Sequence, residues 1–210
     1  MNRNALSDLK VVELGEFITA PYCTELLSCW GAEVIKVEPP GRGDKSRHHG
    51  PFPNDKPDIE KSGLYLFINA NKKSVTLNVK DPKGRKILIE ILKDADIFVE
   101  NNAPKMMKEL GLDYDSLKKD YPKLIMISIT PWGQTGPYKD YKGHGISFAA
   151  ASGASSLHGN PDREPLLHPM SWLEYYTGVC GALAAMVAII ARDISGKGQY
   201  CEQYCERFER

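Results

Sequence analysis

The chain has 210 residues, enough for one domain with a substantial core or for one domain plus part of another. Lys+Arg and Asp+Glu both total 27, so the formal net charge is zero and nothing electrostatic favours a nucleic-acid or acidic-membrane partner. A composition that is 42% hydrophobic and 26% charged excludes a disordered chain.

Residues 1–8 lack the apolar run of a signal peptide. The β-branched run 9–14 reads as the first strand, and 21–30 as a helix with Cys23, Leu26, Leu27 and Trp30 on one side. A second strand at 33–38 leads into residues 39–58, rich in Pro, Gly, Arg, Lys and His without periodicity, which read as a long surface loop. The third strand is 74–79. Asp81 and Pro82 then supply an N-cap and a first-turn proline for a helix over 82–94, with Ile87, Leu88, Ile91 and Leu92 as its apolar stripe. Strand 96–101, short helices at 106–110 and 114–119, and strand 124–130 follow. A loop at 131–142 carries Trp132, Gly133, Gly136 and Pro137, and a final helix spans 174–193, rich in Ala and Gly and suited to close packing. Its apolar run, 179–191, is too short to cross a bilayer, so no membrane partner is expected.

Strands separated by helices predict βαβ units, hence an α/β fold with a mostly parallel sheet and flanking helices. After the last helix the sequence turns polar. Residues 201–210 read as an unpatterned tail, which leaves that helix with no strand to return to. The five cysteines, Cys23, Cys29, Cys180, Cys201 and Cys205, form an odd, scattered set without a CxxC pair. They read as free thiols rather than a disulfide framework or a metal site, which points to a reducing, cytoplasmic setting.

Four features could carry chemistry. In Gly41-Arg42-Gly43-Asp44-Lys45-Ser46-Arg47, directly after the second strand, the cations could pair with phosphates while the glycines admit an anion to the backbone. The plain alternative is a solvated basic loop. Lys72 and Lys73, beside Asn71 and Ser74, could reach a phosphate or simply belong to a polar turn. His144, between glycines, could carry a proton or merely be exposed. Glu174 opens the final helix among Trp172, Tyr175 and Tyr176; such neighbours strip hydration from a carboxylate and make it a better nucleophile. Against that, a first-turn glutamate is also what the helix dipole favours.

Three long blocks in order, LKVVELGEFITAPYCTELLSCWGAEVIKVEPPGRGD, NKKSVTLNVKDPKGRKILIEILKDADIFVENNAP and TGVCGALAAMVAIIARDISGKGQ, resemble the class III CoA-transferase family, the CaiB/BaiF group. The resemblance runs from about Leu9 to Tyr200. It implies a Rossmann-like fold in which residues 1–200 are the N-terminal part of a large domain. Family members are roughly twice as long, beyond usual single-domain size, so the resemblance implies a second, small domain that residues 1–210 are expected not to include. It also implies an interlocked dimer, no metal and no permanently bound cofactor, with coenzyme A and acyl-CoA as substrates. The implied chemistry moves CoA from an acyl-CoA to a carboxylic acid through a covalent enzyme carboxylate, with an acyl-CoA racemase or a non-catalytic CoA-binding subunit as alternatives.

The family aspartate stands four residues before the glycine that opens the apolar helix. That glycine is Gly178, so the matching position is Glu174, whose extra methylene moves the reacting oxygen by about an ångström. For CoA the matching positions are Phe17, Ile18, Thr19, Pro39, Arg42, Leu77, Lys80, Asn101 and Lys142. Glu109 stands where the family often has a phosphate-binding Arg, with Lys108 as a substitute. His144 matches the racemase branch, but the acid expected after it is Gly145.

Overall fold

The computed structural model describes residues 4–166 and 171–204. Six strands make one parallel sheet: β1 (Lys10–Leu14), β2 (Glu33–Glu38), β3 (Lys73–Thr76), β4 (Ile97–Glu100), β5 (Ile125–Thr130) and β6 (Tyr200–Tyr204). Their spatial order is β3-β2-β1-β4-β5-β6, the doubly wound Rossmann order. The order reverses between β1 and β4, where Leu14 pairs with Glu100 at the carboxyl ends of both strands.

Parallel strands covered on both faces become near-continuous apolar runs. One face packs Val11, Val34, Ile97, Val99, Ile125 and Ile127 against α1 (Thr19–Cys29) and α7 (Trp172–Ser195). The other packs Val12, Val37, Phe98 and Met126 against α3 (Pro82–Leu92), α4 (Pro104–Leu110) and α5 (Tyr114–Leu117). Two further short helices, α2 (Gly63–Ile68) and α6 (Gly145–Ala151), lie in the long connections. The α3 start is as expected: Lys83 N–H donates to the Asp81 carboxylate at 2.8 Å and Pro82 occupies the first turn.

Helix α7 meets α1 through small residues. A Cβ on Gly178 would lie 2.9 Å from the Thr19 carbonyl oxygen, and one on Gly181 would lie 3.2 Å from Cys23 Sγ of α1 and 2.8 Å from Ile129 Cδ1 of β5. At 24 residues, with a mean hydropathy of 1.6 over its most apolar window, α7 is long and apolar enough to cross a membrane, which corrects the shorter run read from sequence. Its buried face nevertheless packs as a core helix. Its other side exposes Tyr176, Val179, Leu183, Val187, Ile190 and Ile194, spaced by three and four residues into a single stripe.

Several expectations are corrected. The last helix does return to the sheet: β6 pairs with β5 from Met126↔Tyr200 to Thr130↔Tyr204, so the tail reading fails for residues 201–204. Residues 205–210, with Cys205, lie outside the described residues. Strand β3 stops at Thr76, leaving Leu77 just beyond it, where its N–H donates to the Glu38 carbonyl at 3.0 Å. Trp30 is exposed, because it caps α1 rather than continuing its buried face. The 39–58 loop is built rather than free, with 3-10 turns at Lys45–His48 and Pro53–Asp55.

Candidate active site

At the reversal of strand order, the carboxyl ends of β1, β4 and β5 open into a cleft of about 830 Å³. The turn after β1 forms one wall. Its Glu16 N–H donates to Asn101 Oδ1 at 3.0 Å, and Asn101 Nδ2 donates back to the Glu16 carbonyl at 2.8 Å and to Thr19 Oγ1 at 2.9 Å. Phe17 takes a left-handed backbone, φ 71°. Its ring lies 4.9 Å from that of His49. Arg42, Lys45 and His48 come from the loop after β2; Thr130, Pro131, His144 and Phe148 close the opposite side.

Glu174 reaches this cleft from the first turn of α7, and is 8% exposed. Among the described residues its Oε2 has no hydrogen-bond partner. The carboxylate lies over Gly145, where a Cβ would sit 2.9 Å from Oε1 and 3.1 Å from Oε2. A buried carboxylate oxygen without a donor is poorly solvated and available to react.

Beneath the cleft lie buried charges. Glu13 on β1 pairs with Lys36 on β2 at 2.5 Å and with Lys72 at 3.0 Å. Burial pushes the Glu13 carboxyl up, but the two ammonium groups more than offset it and hold it below the usual range. Glu38 would also rise on burial, yet hydrogen bonds from Arg47, Ser74, the Asp44 N–H and Tyr65 hold it at about 2. Glu100, buried at the end of β4, pairs with no cation among the described residues; burial raises it to about 7 despite donation from Ser128 and the Asn102 N–H.

Of the residues expected from sequence, Phe17, Ile18, Thr19, Arg42, Asn101, His144 and Glu174 border this one cleft. Pro39, Leu77 and Lys80, again with Arg42, line an adjoining cleft of about 340 Å³, and Glu16, Asn102 and Met106 border both. Lys142 is exposed and borders neither, nor do Lys108 and Glu109 on α4. Two further cations are not free for phosphate: Arg47 is forked onto Glu38 at 2.7 and 3.0 Å under the Tyr65 ring, and Lys72 is buried on Glu13, while Lys73 makes an exposed pair with Glu33 at 2.8 Å. Arg42 itself forks onto Glu16, which Lys45 also approaches at 3.3 Å.

Sequence reading missed Glu16, His48, His49, Met106 and Phe148, which share only their place in or just after the segments following the strands. Among the described residues no cluster of three His, Cys, Asp or Glu could hold a metal ion.

Residues 6–204 match the model of CoA-transferase family III. The chain is 38% identical over 197 residues to a succinyl-CoA–D-citramalate CoA-transferase of Chloroflexus aurantiacus, covering 92% of this chain and 47% of that one. It is 36% identical over 202 residues to the Homo sapiens succinyl-CoA:glutarate CoA-transferase, covering 96% and 45%. The crystal structure of a CaiB/BaiF family protein from Brucella suis superposes with a TM-score of 0.89 at 33% identity, over 98% of this chain and 54% of that one. The chain thus spans about half the length of the curated relatives it matches.

Proposed function

The chain belongs to CoA-transferase family III, and on that premise we propose that it transfers CoA from an acyl-CoA to a carboxylic acid, with Glu174 as the nucleophile. The observation that carries this reading is the Glu174 carboxylate, buried in the cleft with one oxygen unpartnered among the described residues. A Glu174 oxygen attacks the thioester carbonyl, the C–S bond breaks, and CoA leaves as thiolate from an acyl-glutamyl anhydride. The thiolate then attacks the Glu174 carbonyl, releasing the donor acid and leaving a glutamyl thioester. The acceptor carboxylate attacks that thioester, forming a new anhydride, and returning CoA collects the new acyl group and frees Glu174. Every step exchanges one carbonyl substituent for another, so no electrons change hands.

The adjoining cleft, with Pro39, Arg42, Leu77 and Lys80, receives the nucleotide end of CoA, and the larger cleft receives the thioester. The acids exchanged are small dicarboxylates, a reading supported by the names of the relatives and by Arg42, Lys45, His48 and His49 in the cleft wall. Two copies of the chain associate as a dimer, supported by the apolar stripe on α7. The described cysteines are free thiols, which suits a cytoplasmic setting.

The test is to incubate the full chain with succinyl-CoA and glutarate and to trap the intermediate with hydroxylamine. A hydroxamate on Glu174, and a loss of at least ~1000-fold in transfer for Glu174→Gln, are expected. Full activity of that variant would sink the reading. A second reading, an acyl-CoA racemase using His144 and Glu174, rests on both residues bordering one cleft. Solvent deuterium entering the α-carbon without CoA exchange would favour it.

A further inference from the structure

The turn after β1 and the 3-10 turn at Lys45–His48 come from different connections, yet one fully buried carboxylate ties them together. Asp44 is 0% exposed. Its Oδ1 accepts from the Phe17 N–H at 3.1 Å and from the Ser46 N–H and hydroxyl, each at 2.7 Å. Its Oδ2 lies 2.7 Å from Lys36 Nζ. The same ammonium, 1% exposed, reaches Glu13 Oε1 at 2.5 Å and donates to the Gly15 carbonyl at 3.1 Å. Lys36 and Asp44 therefore grip both sides of Glu16, one at Gly15 and the other at Phe17.

Stability alone is a poor reason for this arrangement, because apolar residues of similar volume usually stabilise a core as well as a buried ion pair does. What the charges supply is geometry. Phe17 sits at φ 71°, a backbone that non-glycine residues avoid unless the surroundings impose it. Its N–H bond to Asp44 holds that conformation from the side of the second loop. Resting on the CoA reading above, we propose that Asp44, anchored by Lys36, is a positioning residue that fixes Phe17 and the Lys45–His48 turn as one wall for the CoA thioester.

The experiment measures coenzyme A binding by calorimetry, thermal stability and amide exchange on the full chain. Thr24→Val is the control: Thr24 Oγ1 donates to Glu13 at 2.5 Å, inside the same cluster, but does not touch the turn. Asp44→Ala should weaken coenzyme A binding by about tenfold and speed exchange at the Phe17 amide by at least about tenfold. Thr24→Val should lose melting temperature while its affinity stays within about twofold. Glycine adopts the left-handed backbone unaided, so in a Phe17→Gly background the Asp44→Ala effect on affinity should shrink to under about threefold. If Asp44→Ala does not fold, Asp44→Asn should weaken binding by about threefold or more.

An unchanged affinity, an affinity loss in Thr24→Val that follows its melting temperature, or an undiminished Asp44→Ala effect in Phe17→Gly overturns the inference. Wild-type chain that fails to bind coenzyme A removes the reading in the previous subsection instead. Exchange at Phe17 then decides the positioning role by itself, and unchanged exchange overturns it.

Discussion

Glu174 can lie where it does because Gly145 has no side chain. A methyl group there would sit 2.9 and 3.1 Å from the two carboxylate oxygens, so Gly145→Ala must push the carboxylate aside. Misplacing a reacting group by an ångström is worth about 100-fold in rate. Gly145→Ala should therefore lose transfer by roughly that factor with its melting temperature little changed; equal rates in a hydroxylamine-trapping assay would contradict this. A second single-residue prediction concerns Glu100. Its folded pKa of about 7 stands above the ordinary 4.5, so the folded state binds the proton more tightly than the unfolded chain does. The stability linked to it is complete below pH 4.5, falls as pH rises from 4.5 to about 7, and stays low above that. The difference amounts to about 3 kcal/mol at full expression. Glu38, held at about 2, acts in a separate window: its contribution is present above pH 4.5 and fades as pH falls towards 2. Glu100→Gln should thus flatten the stability profile between pH 4.5 and 7 and be the more stable protein at pH 8, as read by urea unfolding. Superimposable profiles would refute it.

At the scale of elements, the pairing of α1 with α7 depends on the absence of side chains at Gly178 and Gly181. Ala would help an isolated helix by about 1 kcal/mol over Gly. At Gly178 its methyl would instead meet the Thr19 carbonyl oxygen at 2.9 Å, and backbone cannot yield as a side chain can. Gly178→Ala should be net destabilising by about 1–3 kcal/mol in chemical denaturation; a gain in stability would show that the helices part freely. The elements legible in the sequence are those whose pattern is set by burial. Strands β2 and β5 carry apolar β-branched runs that only a covered sheet explains, and α3 announces its start with Asp81-Pro82. Strand β6 was not legible. YCEQY has no β-branched residue, and its place depends on long-range contacts: Tyr200 stacks on Tyr114 at 5.4 Å, and Glu202 accepts from the Gln134 N–H at 2.5 Å. The candidate site was half legible for a related reason. Glu174 and the turn after β1 sit in recognisable blocks, whereas His48 and His49 follow the end of the first block and reach the cleft through a loop that Asp44 ties to that turn. Lys36 could have been flagged, since a lysine inside EVIKVE interrupts an otherwise apolar strand and demands a buried partner.

For the whole molecule, the strand order collects the carboxyl ends of β1, β4 and β5 at one edge, so the cleft follows from topology. The opposite consequence appears on α7, whose apolar residues from Val179 to Ile194 stay exposed among the described residues. A stripe of that length favours association. The full chain should elute larger than a monomer on sizing columns, and Leu183→Glu with Val187→Glu should shift it to monomer while leaving coenzyme A binding within about twofold. A monomeric wild type would refute the proposed dimer.

The fork between Arg42 and Glu16 has a consequence for ions in solution. An anionic ligand arriving at Arg42 finds no loosely held counterion to expel, because the protein's own carboxylate already fills that role. A ligand anion taking Arg42 from Glu16 would swap one negative group for another already fixed to the protein. Little small-ion entropy is liberated by such a trade. Affinity at this mouth should therefore change with salt less steeply than the two neighbouring cations, counted alone, would suggest.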